Sequence, residues 1–303
     1  MKNKLIILSM VALFSGCAKA YEHNLSIITP TGAPALAFYN LAKDASFETN
    51  SDASAIVPMM KQGLKDIVVL PTNVGVNAIT KQEIDYKIAA TITFGNLFVA
   101  ATGHDDDGVM DKDDYIILFQ QGSVPDLIFH SIYGDDLNEG IHYVGNVQFA
   151  SQCLMSGKDV TSNNEDVDYV LIAEPAFSTV KSKKDTVVEY ANLQSEYIAK
   201  HGSAIFQASI FVKNGVDAGA FLSSLETDIK NVLSNPHLFV EKTEGIEKPQ
   251  DLLGVAPAMA ESVTKNNNRM GLGFKYAKDN KGAIDKFLSI FGISETAEEI
   301  YYK

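Results

Sequence analysis

The feature that most constrains the fold is a junction that occurs three times, in which a short apolar strand pattern runs through small polar residues into a helix pattern. The three strands are predicted at 24–29, 66–70 and 115–119. Strands that alternate with helices are typical of α/β proteins with mostly parallel sheets. We therefore predict an α/β fold in which the helix N-termini face one crevice at the carboxyl ends of the strands.

The residues at these junctions are suited either to ligand binding or to helix capping alone. Free backbone N–H groups and the positive end of a helix dipole favour an anion or a polarised carbonyl, and Thr and Ser hydroxyls add donors. The same residue types also cap helices where no ligand binds, so both interpretations stand. The three junctions are at 29–34, 71–75 and 122–125.

Two long apolar segments, 88–102 and 204–213, divide the chain. We interpret them as paired crossovers between two lobes, which form a two-strand hinge. The first lobe is predicted to comprise 24–103 and 205–303, the latter mostly helical, and the inserted second lobe 104–204. Each lobe is expected to be a mostly parallel sheet flanked by helices.

The N-terminus indicates export and lipidation. Lys2 and Lys4 precede an apolar run that is too short to span a bilayer comfortably and is placed like a signal-peptide core. The run ends in Phe-Ser-Gly-Cys, which resembles a bacterial lipobox with Cys17 as the lipidated residue. We predict a signal peptide at 1–17, a linker at 18–23, and an extracytoplasmic body anchored to the bacterial membrane by N-terminal lipid. The alternative is an ordinary signal peptide with a chance cysteine.

The net charge and the cysteine content limit which binding partners and which disulfide bonds are expected. Lys and Arg total 25 against 38 Asp and Glu, a formal charge of −13, and Arg269 is the one arginine. Because nucleic-acid binders need a basic face, no nucleic-acid partner is expected. With Cys17 lipidated, Cys153 has no disulfide partner, and its apolar helical surroundings predict a buried, inert thiol.

Motifs for metals, cofactors or catalysis do not occur in the sequence. In the acidic stretch 105–114, Gly108 comes too early for an EF-hand loop, so we predict a solvated acidic turn. The histidines lack zinc-ligand spacing, and GxSxG, P-loop and GxGxxG patterns are missing. We predict no metal, no cofactor and no enzymatic activity.

Six segments together resemble type 2 periplasmic binding proteins, the solute receptors of ABC importers, and specifically the branch for sulfonates, nitrate and thiamine-pyrimidine precursors. They span 24–292 and read ITPTGAPALAFYNLA, DIVVLPTNVGVNAI, QGSVPDLIFHSIYG, VDYVLIAEPAFST, QASIFVKNG and NRMGLGFKYAKDNKGAIDKFLSIFG. The resemblance implies a monomeric receptor whose two lobes close around a small molecule and deliver it to a permease.

The resemblance also implies roles for individual residues. At the three junctions, the residues that would meet the ligand are Thr31, Gly32, Ala33, Thr72, Asn73, Gly122 and Ser123. Glu174, in a Glu-Pro pair, would accept hydrogen bonds from a ring amino group; the alternatives are a solvated carboxylate or a helix cap. Tyr39 and Phe94 would form aromatic walls, unless they pack in the core. An anion would call for a cation in the pocket, and arginine suits that role best. Arg269 lies late in the chain and is expected at the surface or between the lobes, so we favour a neutral or mildly cationic heterocycle as the ligand. The alternatives are a sulfonate or nitrate receptor, an enzyme like the menaquinone-pathway dehydratases, and a surface lipoprotein for adhesion or sensing.

The lipid site gives the first testable prediction. In cells fed a labelled fatty acid, the full chain should carry label and sediment with membranes, whereas Cys17→Ser should lose both properties because the acceptor sulfur is gone. Cys153→Ser serves as the matched control and should keep them. Label that persists in Cys17→Ser would disprove the assignment.

Overall fold

The computed structural model describes residues 24–105 and 107–303. The predicted leader 1–17 with Cys17, the linker 18–23 and Asp106 lie outside the described residues. Within the part that is described, none of the helices combines the length and the apolarity that crossing a membrane requires.

The described residues form eleven strands and twelve α-helices. The strands are β1 Ile27–Pro30, β2 Phe47–Asn50, β3 Ile67–Pro71, β4 Tyr86–Thr93, β5 Leu97–Ala101, β6 Ile116–Phe119, β7 Ile141–Val144, β8 Tyr169–Ala173, β9 Val188–Asn192, β10 Ala208–Lys213 and β11 Leu272–Tyr276. The helices are α1 Ala33–Leu36, α2 Ile56–Lys61, α3 Thr72–Gln82, α4 Val124–Tyr133, α5 Val147–Ser156, α6 Ala176–Lys181, α7 Leu193–His201, α8 Gly219–Ser234, α9 Leu238–Thr243, α10 Pro249–Leu253, α11 Pro257–Lys265 and α12 Lys281–Ser289.

The strands form two sheets, and each sheet is mixed rather than mostly parallel as predicted. The first sheet has the order β11-β4-β10-β3-β1-β2 and the second the order β7-β6-β8-β5-β9. Parallel pairing is confined to β1, β3 and β6, which lead into the three junctions, and to their neighbours β2, β7 and β8. The other pairings are antiparallel because β4, β5, β9, β10 and β11 belong to the segments that connect the two sheets or close the chain.

The boundary between the two sheets differs from the predicted one. The apolar run 88–102 is two strands, broken at 94–96, and its second strand β5 pairs with β8 and β9 of the second sheet. The break falls at Gly95, whose φ of +105° suits glycine. The first crossover therefore lies at 94–96 instead of after residue 103. The described segment 214–303, expected to be mostly helical, also contains β11, which pairs with β4.

The local sequence explains where several helices begin and end. The side chain of Asn146 accepts a hydrogen bond from Phe149 N and caps α5, so the helix begins at Val147. Gly157 ends α5 in the left-handed conformation. At the first junction the helix is short, since α1 is followed by a 3-10 turn, Tyr39–Leu41.

Two apolar clusters hold the described structure together. One covers the outer face of the first sheet and includes Ile67, Tyr39 and Phe239. The other is continuous from the inner face of the first sheet, at Val68, to the second sheet, at Leu118. The two sheets therefore share one contiguous apolar core.

The close packing of α3 on the first sheet gives a stability prediction. A Cβ at Gly75 would overlap the ring of Phe211 in β10, so Gly75→Ala should lower the free energy of unfolding by about 1–3 kcal/mol. Gly282→Ala in α12 is the matched control, because a Cβ there meets nothing within 4 Å. It should leave stability unchanged or raise it by up to about 1 kcal/mol. Urea unfolding measures both, and an unaffected Gly75→Ala would contradict the packing.

Candidate functional site

Polar side chains are buried where the chain crosses between the two sheets. Asn96 is 8% exposed; its Nδ2 donates to the carbonyl of Glu174 at 3.1 Å, and its Oδ1 accepts from Gln207 Nε2 at 3.3 Å. The backbone N–H of Gln207 donates to the carbonyl of Thr93 at 3.0 Å. We call Thr93, Asn96, Glu174, Gln207 and Arg269 the crossover cluster.

The loop before β11 brings Arg269 into this cluster. Phe94 N donates to the carbonyl of Gly271 at 2.8 Å, and Gly271 packs so tightly on Gly95 that a Cβ would overlap the Gly95 carbonyl. Gly271 itself has a φ of +66°. Glycine is therefore required at both positions for the loop to approach the crossover, and Arg269 lies two residues before Gly271.

Arg269 is held by two carboxylates and two aromatic rings. Its Nε lies 2.6 Å from Glu174 Oε1, and its Nη1 pairs with Glu189 Oε2. The guanidinium carbon lies 3.9 Å from the ring centre of Phe98 and 5.0 Å from that of Phe177. Side-chain exposure is 13% for Arg269 and 0% for Glu174. Two acidic groups and one basic group leave this part of the cluster with a net charge of about −1 if all are ionised.

Glu174 also caps the helix that follows it. Its carboxylate accepts hydrogen bonds from Ser178 N at 3.0 Å and from Ser178 Oγ at 2.8 Å. The carboxylate lies at the N-terminus of α6, where the dipole stabilises negative charge. Among the alternatives for Glu174, the cap is observed, and the solvated carboxylate is excluded by its burial.

Four buried polar atoms at or beside the crossover cluster have no hydrogen-bond partner among the described residues. They are Thr93 Oγ1, Gln207 Oε1, Arg269 Nη2 and Asn73 Oδ1. Asn73 is adjacent because Thr72 N donates to the carbonyl of Gln207 at 3.0 Å. An unpaired buried polar group costs about 1–3 kcal/mol, so these atoms are suited to contact a polar ligand.

A cavity of about 460 Å³ opens beside the cluster. Its walls come from α5 and α6 of the second sheet and from Gly254 near the first. A Cβ at Gly254 would lie 2.5 Å from Gly32 N, which places the cavity beside the first predicted junction. The lining residues are Val147, Gln148, Ser151, Gln152, Met155, Pro175, Ala176, Thr179, Val180, Lys183 and Gly254. We call this the interlobe cavity; it adjoins the cluster through Pro175, which follows Glu174.

The predicted junction donors already have protein acceptors. Thr31 N donates to the Asn50 carbonyl at 3.1 Å and Gly32 N to the Leu253 carbonyl at 2.8 Å. At the other junction, Gly122 N donates to the carboxylate of Asp126 at 2.7 Å, and Ser123 N donates to the Gln120 carbonyl at 2.9 Å. Ala33 is 7% exposed. These four N–H groups are therefore satisfied within the protein, although no side chain caps the N-terminus of α1, α3 or α4.

The remaining predicted residues fall in different places. Thr72 Oγ1 lies 2.7 Å from Ser209 Oγ, which lies 2.8 Å from Thr91 Oγ1, so Thr72 belongs to a buried chain of hydroxyls. Phe94 lies at the crossover, where its ring packs edge-on against that of Phe206 with 5.6 Å between the ring centres. Tyr39 is 2% exposed and its hydroxyl donates to the Asp228 carbonyl, which places it in the outer core, away from the cluster.

The crossover cluster contains residues that the sequence interpretation did not select. Thr93, Asn96 and Gln207 interrupt apolar runs that were interpreted only as hinge strands, and that interruption was the available signal. Arg269 was expected at the surface or between the lobes, and the structure places it between them.

Three features that the sequence singled out, the acidic stretch, the potential metal ligands and Cys153, give no second candidate centre among the described residues. The turn around Asp105 is closed by its own carboxylate, which accepts from Gly108 N at 2.7 Å, as predicted for an acidic turn. Across residues 24–105 and 107–303, His, Cys, Asp and Glu form no group that could hold a metal ion. Cys153 is buried, and burial raises the pKa of its thiol, which confirms the predicted placement.

No family model matches this chain, and no curated protein matches it either. Solved structures do match over most of its length. An ABC transporter protein from Parabacteroides distasonis has a TM-score of 0.70 at 16% identity, covering 92% of this chain and 99% of that one.

Two sulfonate-binding proteins also match. The periplasmic aliphatic sulphonate binding protein SsuA from Escherichia coli has a TM-score of 0.63 at 10% identity, covering 88% of this chain and 91% of its own. The alkanesulfonate-binding protein SsuA from Xanthomonas axonopodis pv. citri, bound to MOPS, has a TM-score of 0.56 at 12% identity, covering 94% and 96%. The chain thus has the periplasmic-binding-protein fold, with two mixed sheets flanked by helices.

The bridging role of Asn96 can be tested by stability. Asn96→Ala should lower the free energy of unfolding by about 1–3 kcal/mol, because the Glu174 carbonyl and the Gln207 amide lose their shared partner in a buried site. Asn138→Ala, at an exposed turn residue, is the matched control and should stay within about 0.5 kcal/mol of the parent. Equal effects of the two substitutions in urea unfolding would refute the bridge.

Proposed function

We propose that this protein is an extracytoplasmic solute-binding lipoprotein of an ABC importer. It captures a small metabolite between its two lobes and delivers it to a permease, as a monomer anchored through Cys17. The observation that carries the proposal is the set of buried, unpaired polar atoms where the chain crosses between the two sheets. The fold supports it, since the matching structures include periplasmic binding proteins.

The charge and the donors of the crossover cluster favour a neutral or mildly cationic ligand. Glu174 and Glu189 outnumber Arg269, so the field there repels an anion. The unpaired Gln207 Oε1 and Asn73 Oδ1 are acceptors, and Thr93 Oγ1 can accept as well. A ligand with amino or ring N–H groups would satisfy them.

The interlobe cavity fits a small, flat molecule. Its volume of about 460 Å³ falls within the 300–1,000 Å³ of typical ligand sites. Val147, Met155, Pro175, Ala176 and Val180 supply apolar walls, and Pro175 directly follows Glu174 of the crossover cluster. We therefore favour a vitamin-like heterocycle, such as a thiamine-pyrimidine precursor. The residues proposed to contact it are Thr31, Gly32, Ala33, Thr72, Asn73, Phe94, Gly122, Ser123 and Glu174, joined by Thr93, Gln207 and Arg269.

A sulfonate is the second candidate, because two of the matching structures are named as sulfonate-binding proteins. Arg269 Nη2 is the group that would donate to a sulfonate oxygen. The two carboxylates on the same guanidinium oppose it, so the first candidate has the stronger physical support.

The test is thermal shift and calorimetry on the full chain with two probe sets. The first contains 4-amino-5-hydroxymethyl-2-methylpyrimidine and thiamine, and the second contains MOPS, taurine and nitrate. A probe at 100 times its Kd should stabilise the protein by about 2.7 kcal/mol. Binding of the first set alone supports the favoured ligand class, whereas binding of the second set alone would replace it with the sulfonate assignment. Native mass spectrometry of the purified protein identifies a ligand outside both sets.

A pair of isosteric substitutions tests where the ligand binds. Thr93→Val removes an unpaired hydroxyl, so it should leave the unligated protein as stable or more stable while weakening the bound probe about threefold to tenfold. Thr91→Val is the matched control on the same strand; it breaks a hydrogen bond to Ser209 and should cost about 1 kcal/mol of stability without changing affinity. The reverse pattern would move the site away from the crossover.

A further inference from the structure

One side chain of the first lobe is tied to two carboxylates of the second. Arg269 belongs to the loop between α11 and β11, and β11 is an edge strand of the first sheet. Glu174 follows β8 and Glu189 lies in β9, both in the second sheet. The pairs Arg269–Glu174 and Arg269–Glu189 therefore span the two lobes.

The orientation of the guanidinium is fixed on several sides. Glu174 holds Nε and Glu189 holds Nη1, while the rings of Phe98 and Phe177, also from the second lobe, cover the planar group. A lysine ammonium has no planar fork and could not make this set of contacts. The contacts depend on both lobes being in the arrangement observed here.

These contacts are all made by side chains of the protein itself. Separating the lobes would break both ion pairs and remove Arg269 from the two rings, although the freed charges would regain hydration. Glu174 would keep its two hydrogen bonds from Ser178, so the second lobe retains a formed carboxylate to which Arg269 can return. The arrangement is therefore reversible.

We propose that Arg269 is a positioning residue that latches the two lobes closed in the absence of ligand. The closed state is then the ground state of the empty protein, and a ligand enters during transient opening. Nη2, the unpaired nitrogen of the same guanidinium, lies buried and can contact the ligand once it is bound. The latch is a property of the empty protein, so it stands or falls independently of the ligand's identity.

The test measures the distance between two spin labels on the full chain in detergent, by double electron–electron resonance. Labels at Gln152→Cys and Asp251→Cys suit it, because both residues are exposed and flank the interlobe cavity, Asp251 lying next to Gly254. A sample without the added cysteines reports any labelling of Cys17 or Cys153. Native mass spectrometry first confirms that the protein is empty.

The empty parent protein should show one short distance. Arg269→Gln should add a longer-distance population, with the ratio of open to closed molecules rising about tenfold or more. Glu189→Gln, which leaves the Glu174 pair intact, should give a smaller rise, and Arg269→Lys should behave like Arg269→Gln. Lys275→Gln is the matched control, because it removes a cation of β11 whose ammonium lies over Phe94 and Phe206 and is assigned no role in the latch.

Two results would overturn the proposal. One is an empty parent protein that already populates the long distance as much as Arg269→Gln does. The other is an unchanged short distance in the Arg269 and Glu189 variants. If Arg269→Gln fails to fold, as shown by circular dichroism, Glu189→Gln and Arg269→Lys decide the question by the same criteria.

Discussion

The buried ion pair between Arg269 and Glu174 is the interaction on which the geometry of the candidate site depends. It joins the loop before β11 of the first sheet to the end of β8 in the second, places opposite charges at the crossover and leaves one guanidinium nitrogen without a partner. Each of these effects follows from burial, since the same pair in water would contribute little. The excess of acidic residues in the whole chain is repeated at this site, because the single arginine lies where two carboxylates meet.

The sequence was sufficient to predict the fold class, because alternation of strands and helices survives as a pattern along the chain. It was not sufficient to find the break at Gly95, since two strands of different sheets share one apolar composition. The junction amides illustrate a second limit. Leu253 and Asp126, which accept from Gly32 N and Gly122 N, are revealed only by folding, so the sequence could not show that these donors were taken.

The site itself was only partly predictable. Glu174 was selected from the sequence as a polar residue of interest, but its partner Arg269 lies 95 residues away in sequence. Asn96 and Gln207 carry weaker signals, as polar residues in apolar runs that also read as ordinary hinge strands. A polar residue inside a predicted crossover is a good candidate for a structural or binding role. The backbone there leaves one sheet for another, so side chains must replace the hydrogen bonds that the strands no longer make.

The apolar cluster that joins Val68 of the first sheet to Leu118 of the second has a consequence for cooperativity. The first sheet also has an outer cluster of its own, but its inner core is continuous with the core of the second sheet. Loss of one sheet would expose apolar surface of the other, so the free energies of unfolding of the two are coupled. The molecule should therefore melt as a single calorimetric unit, with equal van't Hoff and calorimetric enthalpies.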